Sequence, residues 1–172
     1  MNRYALIGIG VVVIAGAIVF SMASRDTSGE TSTSDFDTFA SISLTDYHGN
    51  NVSLEQFRGT PLVINSWAVW CPFCREELPD FAALQQELGS EVLVIAIDRR
   101  EPLEKAKGYT DELGITNDML FLLDPSDSFY KSIGGFTMPE TIFVDVNGVI
   151  SFHKRGPMTL EEMRDAVRTH LQ

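Results

Sequence analysis

Both cysteines of the chain, Cys71 and Cys74, lie three positions apart in the segment NSWAVWCPFCREELP. Two thiols at this spacing suit either a redox pair or half of a metal site. An apolar run precedes them and a helical pattern follows, which places Cys71 at the amino-terminal end of a helix. Unpaired backbone N–H groups and the helix dipole stabilise a thiolate there, and the thiolate is the nucleophile of thiol-disulfide exchange.

The spacing predicts a two-step exchange. Cys71 attacks a substrate disulfide, and Cys74, one turn further in and more shielded, then resolves the mixed disulfide. Pro72 suits the first helical turn and stiffens the loop. We expect Trp70 to shield the thiols and to contact substrate, and Phe73 to add an apolar contact on the same rim. Trp67, by contrast, is predicted to belong to the core.

Other uses of the cysteine pair remain open at this point. A structural zinc site needs four ligands, and the chain adds only His48, His153 and His170, on separate predicted elements. A structural disulfide across one helical turn closes a very small loop and stabilises little. A copper-binding chaperone would hold Cu(I) with the cysteines and a histidine. The sequence favours redox exchange, with no metal and no cofactor besides the disulfide.

Strand and helix patterns alternate along most of the chain. Buried strands are predicted at PLVINSWA, EVLVIAID and MLFLL, and helices over residues 74–88 and 101–113. A hairpin is predicted around His48, a capping box at Ser53, a second hairpin with a two-residue Asn147-Gly148 turn, and a final helix capped by Thr159. This order predicts an α/β fold whose mixed central sheet has helices on both faces, with an N-terminal hairpin extension.

The amino-terminal segment is apolar almost without interruption from Tyr4 to Ala23. About 20 such residues make roughly 30 Å of helix, which is enough to span a bilayer. We therefore predict a membrane anchor over residues 1–23 that places the domain on the outer side, with a cleaved signal peptide as the alternative. Residues 24–35 are polar and predict a flexible linker, so that the globular domain covers residues 36–172.

Charge and length narrow the function further. The chain has 13 Lys and Arg residues against 24 Asp and Glu residues, a net charge of -11. Such a charge repels phosphate backbones, so we expect no binding to nucleic acid. The 172 residues leave room for one domain of ordinary size, which we expect to be monomeric.

The segment WAVWCPFC resembles the WAxWCxxC signature of thioredoxin-like oxidoreductases. Glu77 with Pro79 in CREELP, and the stretch MPETIFVDVNG, are similar to the membrane-tethered TlpA/ResA/CcmG (DsbE)-like group. The resemblance extends from about residue 36 to the carboxyl terminus and implies a thioredoxin-like fold. It implies that Cys71 is the nucleophile and Cys74 the resolving cysteine. It also implies that Pro139 is a cis-proline that faces the disulfide, so that the backbone of Met138 turns toward the thiols and can pair with an extended substrate peptide.

Glu77 follows Cys74 by three residues and lies on the same helix face. From the residues alone, an acid in the first helical turn that interacts with the dipole is an open alternative. The resemblance implies a partly buried carboxyl of raised pKa that exchanges protons with Cys74. Asn65 stands where cytosolic thioredoxins carry a buried Asp, which leaves proton transfer to Glu77. We expect Asn65 itself to satisfy backbone groups under the helix.

The resemblance implies an extracytoplasmic thiol-disulfide oxidoreductase that acts mainly as a reductase of protein disulfides, including those of apocytochrome c. A membrane thiol partner would supply its electrons. The Pro72-Phe73 dipeptide does not decide whether the protein reduces or oxidises its substrate, because proline at this position occurs in oxidants and in reductants. A general disulfide oxidant and a peroxiredoxin-type thiol peroxidase are alternatives, although the latter carries Thr where this chain has Ala68. The copper-chaperone alternative differs in its spacing, because related copper chaperones of the Sco type use CxxxC rather than CxxC.

Overall fold

The computed structural model describes residues 35–172, in which strands and helices follow the predicted order. The predicted anchor, and the linker as far as residue 34, lie outside the described residues. The strands are β1 Ser43–Asp46, β2 Asn51–Ser53, β3 Leu62–Trp67, β4 Leu93–Arg99, β5 Leu120–Asp124, β6 Glu140–Val144 and β7 Ile150–Arg155. The helices are α1 Pro72–Leu88, α2 Leu103–Glu112, α3 Ser128–Ser132 and α4 Leu160–His170, with 3-10 helices at Asp35–Thr38 and Leu54–Phe57.

All seven of these strands form one mixed sheet in the order β2-β1-β5-β4-β3-β6-β7. The central strands β3 and β4 run parallel, and every residue of β3 is buried. Side chains alternate between the two faces of a strand, so each face carries its own apolar cluster. One cluster includes Trp67, Phe81 and Phe143 together with residues of α1, α2 and α4. The other includes Phe39 and Phe129 on the opposite face, so the predicted α/β fold is confirmed.

The two hairpins close with the same turn. In each, the backbone carbonyl of an Asp at or just beyond the end of the first strand accepts the N–H of the Gly three positions on. These pairs are Asp46 with Gly49 and Asp145 with Gly148. The Asp carboxylates accept two further N–H groups of their own loops. Both glycines have positive φ, of 83° and 80°, a conformation that favours Gly. The predicted two-residue turn at Asn147-Gly148 is therefore wrong, because the Asp side chain stabilises a longer turn.

Helix ends differ from the predictions in three places. Helix α1 begins at Pro72 rather than at residue 74. Helix α2 begins two residues later than predicted, because Pro102 disfavours a helical conformation at the residue before it. Ser53 caps a 3-10 turn through the N–H of Glu55, without the predicted capping box. The capping box of α4 is confirmed, with Thr159 and Glu162 bonded reciprocally.

Candidate active site

A disulfide joins Cys71 and Cys74 at the amino-terminal end of α1. Cys71 is the N-cap residue, and its Sγ accepts the backbone N–H of Cys74 at 3.2 Å. Pro72 occupies the first helical turn, where its missing N–H leaves no hydrogen bond unmade. Cys71 is 3% exposed and Cys74 is fully buried. An incoming thiolate or disulfide therefore reaches the sulfur of Cys71 first.

Three exposed aromatic rings lie next to the cysteines in the chain or in the loop before β6. Trp70, just before Cys71, is 58% exposed, and Phe73, in the first turn of α1 between the cysteines, is 55% exposed. Phe136 is 86% exposed and lies in the loop before β6. Strand β6 runs antiparallel to β3 with Glu140 opposite Ser66, which brings the two loops to the same edge of the sheet. Sequence reasoning missed Phe136, although an apolar ring in the polar, Gly-rich segment GGFT is itself a signal.

The Met138-Pro139 peptide bond is cis, as the resemblance implied. Pro139 is buried, and the half-buried Met138 packs against the cluster that contains both cysteines. Glu140, a residue that sequence reasoning missed, fixes this loop. Its Oε1 accepts the N–H groups of Phe136 and Thr137 at 2.6 and 2.7 Å. The sequence signal that could have identified Glu140 is an acidic residue at the start of a buried strand, where charged side chains are rare.

Glu77 lies on the buried face of α1 and is 3% exposed. Its Oε1 accepts a hydrogen bond from Asn65 Nδ2 at 2.8 Å, and its Oε2 accepts the backbone N–H of Met158 at 3.0 Å. Burial raises the pKa of Glu77 to about 7, and these two hydrogen bonds act in the opposite direction. An open groove of about 410 Å³ beside Phe73 is partly lined by Glu77. Glu77 is thus a buried acid that can exchange protons at neutral pH, and the exposed acid of the first turns is Glu76.

Asn65 has a different partner set from the one expected. Its Nδ2 donates to the side chains of Glu77 and Thr141, at 2.8 and 3.1 Å, rather than to backbone groups. The expectation was wrong because Asn65 points from β3 toward α1 at the level of the Glu77 carboxyl group. An amide next to a titrating acid can present either its N–H₂ or its carbonyl oxygen after rotation. Asn65 is therefore suited to both protonation states of Glu77.

The three histidines are dispersed over the described domain. His153 pairs with Glu140 at 2.8 Å, His170 stacks on Phe152, and His48 lies exposed in the first hairpin turn. Within residues 35–172, no group of three His, Cys, Asp or Glu side chains is arranged to hold a metal ion. Trp67 is fully buried in the core, as predicted. In the same part of the chain no helix combines the length and apolar character that crossing a bilayer requires.

The fold and the site define a thioredoxin-like protein with a disulfide at a helix amino terminus. The family model for Redoxin matches residues 34–170, and the chain belongs to the Redoxin family.

Individual relatives agree with this assignment. The thioredoxin-like protein YneN of Bacillus subtilis is 26% identical over 95% of this chain and 96% of its own. Thiol-disulfide oxidoreductase ResA of Geobacillus thermodenitrificans is 27% identical over 70% of this chain and 69% of its own. A solved structure, a secreted Mycobacterium tuberculosis disulfide oxidoreductase homologous to E. coli DsbE, has a TM-score of 0.69 at 20% identity, covering 77% of this chain and 98% of its own. The resemblance to the ResA/DsbE group is confirmed, and the chain is a thiol-disulfide oxidoreductase of that type.

Proposed function

We propose that this oxidoreductase acts mainly as a reductase of protein disulfides on the outer side of a membrane. In this proposal residues 1–23 anchor the chain, residues 24–35 link the anchor to the domain, and the protein works as a monomer. Because the chain has only two cysteines, a separate membrane thiol protein supplies the electrons that regenerate the reduced pair.

Acidic residues in the groove beside Phe73, at the end of α1 that carries the cysteines, support the proposed direction of electron transfer, from this protein to its substrate. Four acidic residues, Glu76, Glu77, Asp80 and Glu162, line the groove beside Phe73. Negative charge raises the free energy of a nearby thiolate, and a dithiol whose thiolates are destabilised gives up its electrons more readily. The amino-terminal end of α1 has the opposite effect, because it stabilises a thiolate. In the described domain, however, a single N–H donates to the Cys71 sulfur.

The aromatic rim supports the substrate class. Trp70, Phe73 and Phe136 offer apolar contacts to a polypeptide that crosses the disulfide. Such a surface suits an extended or unfolded chain that carries apolar side chains next to its cysteines, and apocytochrome c before haem attachment belongs to this class. An unfolded substrate also leaves its disulfide accessible to Cys71.

The reduction potential of the Cys71/Cys74 couple tests the direction. It is measured on the full chain in detergent, by equilibration with glutathione or dithiothreitol buffers and trapping of free thiols. We expect a value below about -200 mV, nearer to thioredoxin at about -270 mV than to DsbA at about -120 mV. A potential near that of DsbA would refute the reductase assignment while leaving the exchange chemistry intact.

Two further measurements test location and substrate. A membrane-impermeant maleimide applied to intact cells should label reduced Cys71 if the domain lies outside, and labelling only after lysis would contradict this. Phe136→Ala should raise KM for an unfolded disulfide substrate several-fold, because the rim loses an exposed ring. The matched control is Val146→Ala, which removes an exposed apolar side chain from the distant hairpin turn.

A further inference from the structure

A pair of adjacent buried carboxyl groups lies behind the cysteine loop. Asp98 near the end of β4 is fully buried, and Glu101 just beyond the strand is 7% exposed. The backbone N–H of Glu101 donates to Asp98 Oδ1 at 3.0 Å. Asp98 lies opposite Trp67 in the β3–β4 register, on the sheet face that carries α1. Neither carboxyl group is part of the exchange mechanism described above.

Within this pair, Glu101 is the residue that contacts the cysteine loop. Its Oε2 accepts the backbone N–H of Val69 at 2.6 Å, and its other oxygen pairs with Lys105. Val69 lies two residues before Cys71, in a turn closed by the hydrogen bond from the Cys71 N–H to Ala68 O. The position of the Glu101 carboxylate therefore determines how the turn presents Cys71.

The charge state of the pair follows from burial. Asp98 Oδ2 has no hydrogen-bond partner within residues 35–172. An unpartnered buried carboxylate is costly, so Asp98 retains a proton that its hydroxyl can donate to Glu101. Burial raises the pKa of Asp98 and the adjacent Glu101 raises it further, while Lys105 of α2 lowers it. The Tyr47 phenol, from the first hairpin, also faces this group, and its pKa is raised mainly by burial.

We propose that Asp98 is a positioning residue, which keeps the Glu101 carboxylate on the Val69 N–H by sharing a proton with it. Loss of that proton places two adjacent negative charges behind the loop, and their repulsion frees the Val69 N–H and the turn before Cys71. This role concerns the exchange reaction itself and does not depend on the direction proposed above. If Asp98 proves to have no such role, the reductase assignment still stands. If the reduction potential proves to be like that of DsbA, the role of Asp98 still stands.

The test follows the Val69 amide by ¹⁵N NMR in the oxidised full chain, where neither cysteine can titrate. From about pH 5 to about pH 10 the Val69 resonance should shift in an alkaline step. Asp98→Asn should abolish that step, because an amide donates to Glu101 at every pH. In the reduced wild-type protein, the alkylation rate of the Cys71 thiolate should fall about tenfold as the pH rises through this alkaline step. In reduced Asp98→Asn the rate should not change over the same pH range.

Glu104→Gln is the matched control, because it removes an exposed acid from the first turn of α2 and should leave the alkaline step in place. Glu77→Gln should also retain it. An unchanged step in Asp98→Asn would overturn the proposal. Should that variant fail to fold, ¹³C NMR of the Asp98 carboxyl in the wild type decides, since titration at the ordinary acidic pKa of Asp would equally overturn it.

Discussion

Glu77 is a buried acid of raised pKa three residues after Cys74, the predicted resolving cysteine. Exchange through Cys74 requires its thiol to lose a proton in one step and regain it in another. An acid with a pKa of about 7 is half-ionised at neutral pH and can serve as base or as acid. The Met158 N–H and the Asn65 amide hold its carboxyl group under α1. We therefore expect Glu77 to affect the resolving step more than the initial attack by Cys71.

Glu77→Gln tests this role. We expect about a 10- to 100-fold slower turnover near pH 7, because an amide cannot transfer the proton. The titration of Cys74, followed by alkylation or ¹³C NMR, should shift as well. Glu76→Gln is the matched control, since it removes the neighbouring exposed acid from the same groove. Equal turnover and equal Cys74 titration in both variants would contradict proton transfer by Glu77.

At the scale of elements, three loops around the disulfide are each held by a buried carboxyl group. Glu101 holds the loop before Cys71, Glu140 holds the loop before β6, and Glu77 holds the loop before α4. In each case the carboxyl group accepts a backbone N–H, and hydrogen bonds to an ionised acceptor are stronger than neutral ones. These three loops are thus each fixed by a buried acid.

The loop before α4 provides a test at this scale. Thr159→Ala removes the capping box of α4 and should lower the free energy of unfolding by about 1 kcal/mol, measured with urea. Met158 immediately precedes this cap, so a looser helix end should weaken its N–H bond to Glu77 and raise the Glu77 pKa further. Thr169→Ala, an exposed position on the same helix, is the control. A stability loss without any shift in the Glu77 titration would contradict the link between the cap and the site.

For the whole molecule, the buried acids dominate the pH dependence of stability above about pH 5. Surface acids such as Asp46, Asp111 and Glu162 have lowered pKa values through hydrogen bonds and complete their titration in more acidic solution. Glu77 and Asp98 have raised pKa values through burial. The folded state therefore binds protons that the unfolded state has already released.

We expect the free energy of unfolding of the oxidised protein to fall as pH rises. The Glu77 contribution is complete below its ordinary pKa of 4.5 and is lost as pH passes its folded value of about 7. That loss amounts to about 3 kcal/mol, with a slope of at most about 1.4 kcal/mol per pH unit, and Asp98 adds to it with the same sign. Urea titrations from about pH 5 to about pH 9 measure the slope. Glu77→Gln should flatten it, and a rise in stability across this range would refute the argument.

Local patterns were sufficient for much of this molecule. The apolar runs predicted β3 and β4, because fully buried parallel strands carry few polar residues. The CxxC spacing after a strand predicted the disulfide at a helix end, and the Thr159 capping box was recognisable because its partners are three residues apart. The hairpin around His48 was predicted correctly. The turn of the second hairpin was misread because Asp145, whose side chain stabilises it, lies outside the Asn147-Gly148 pair.

Contacts between distant segments were decided only by the tertiary structure. The sequence by itself determined the cysteine pair, the position of Glu77 on α1 and the order of strands and helices, since each depends on neighbours within a few residues. The burial of Glu77 against Asn65 and Met158, and the attachment of Val69 to Glu101 and of Phe136 to Glu140, depend on how β3, β4 and β6 pair. The pKa of a carboxyl group depends on the solvent and partners that the assembled sheet leaves to it, and no spacing along the chain encodes those.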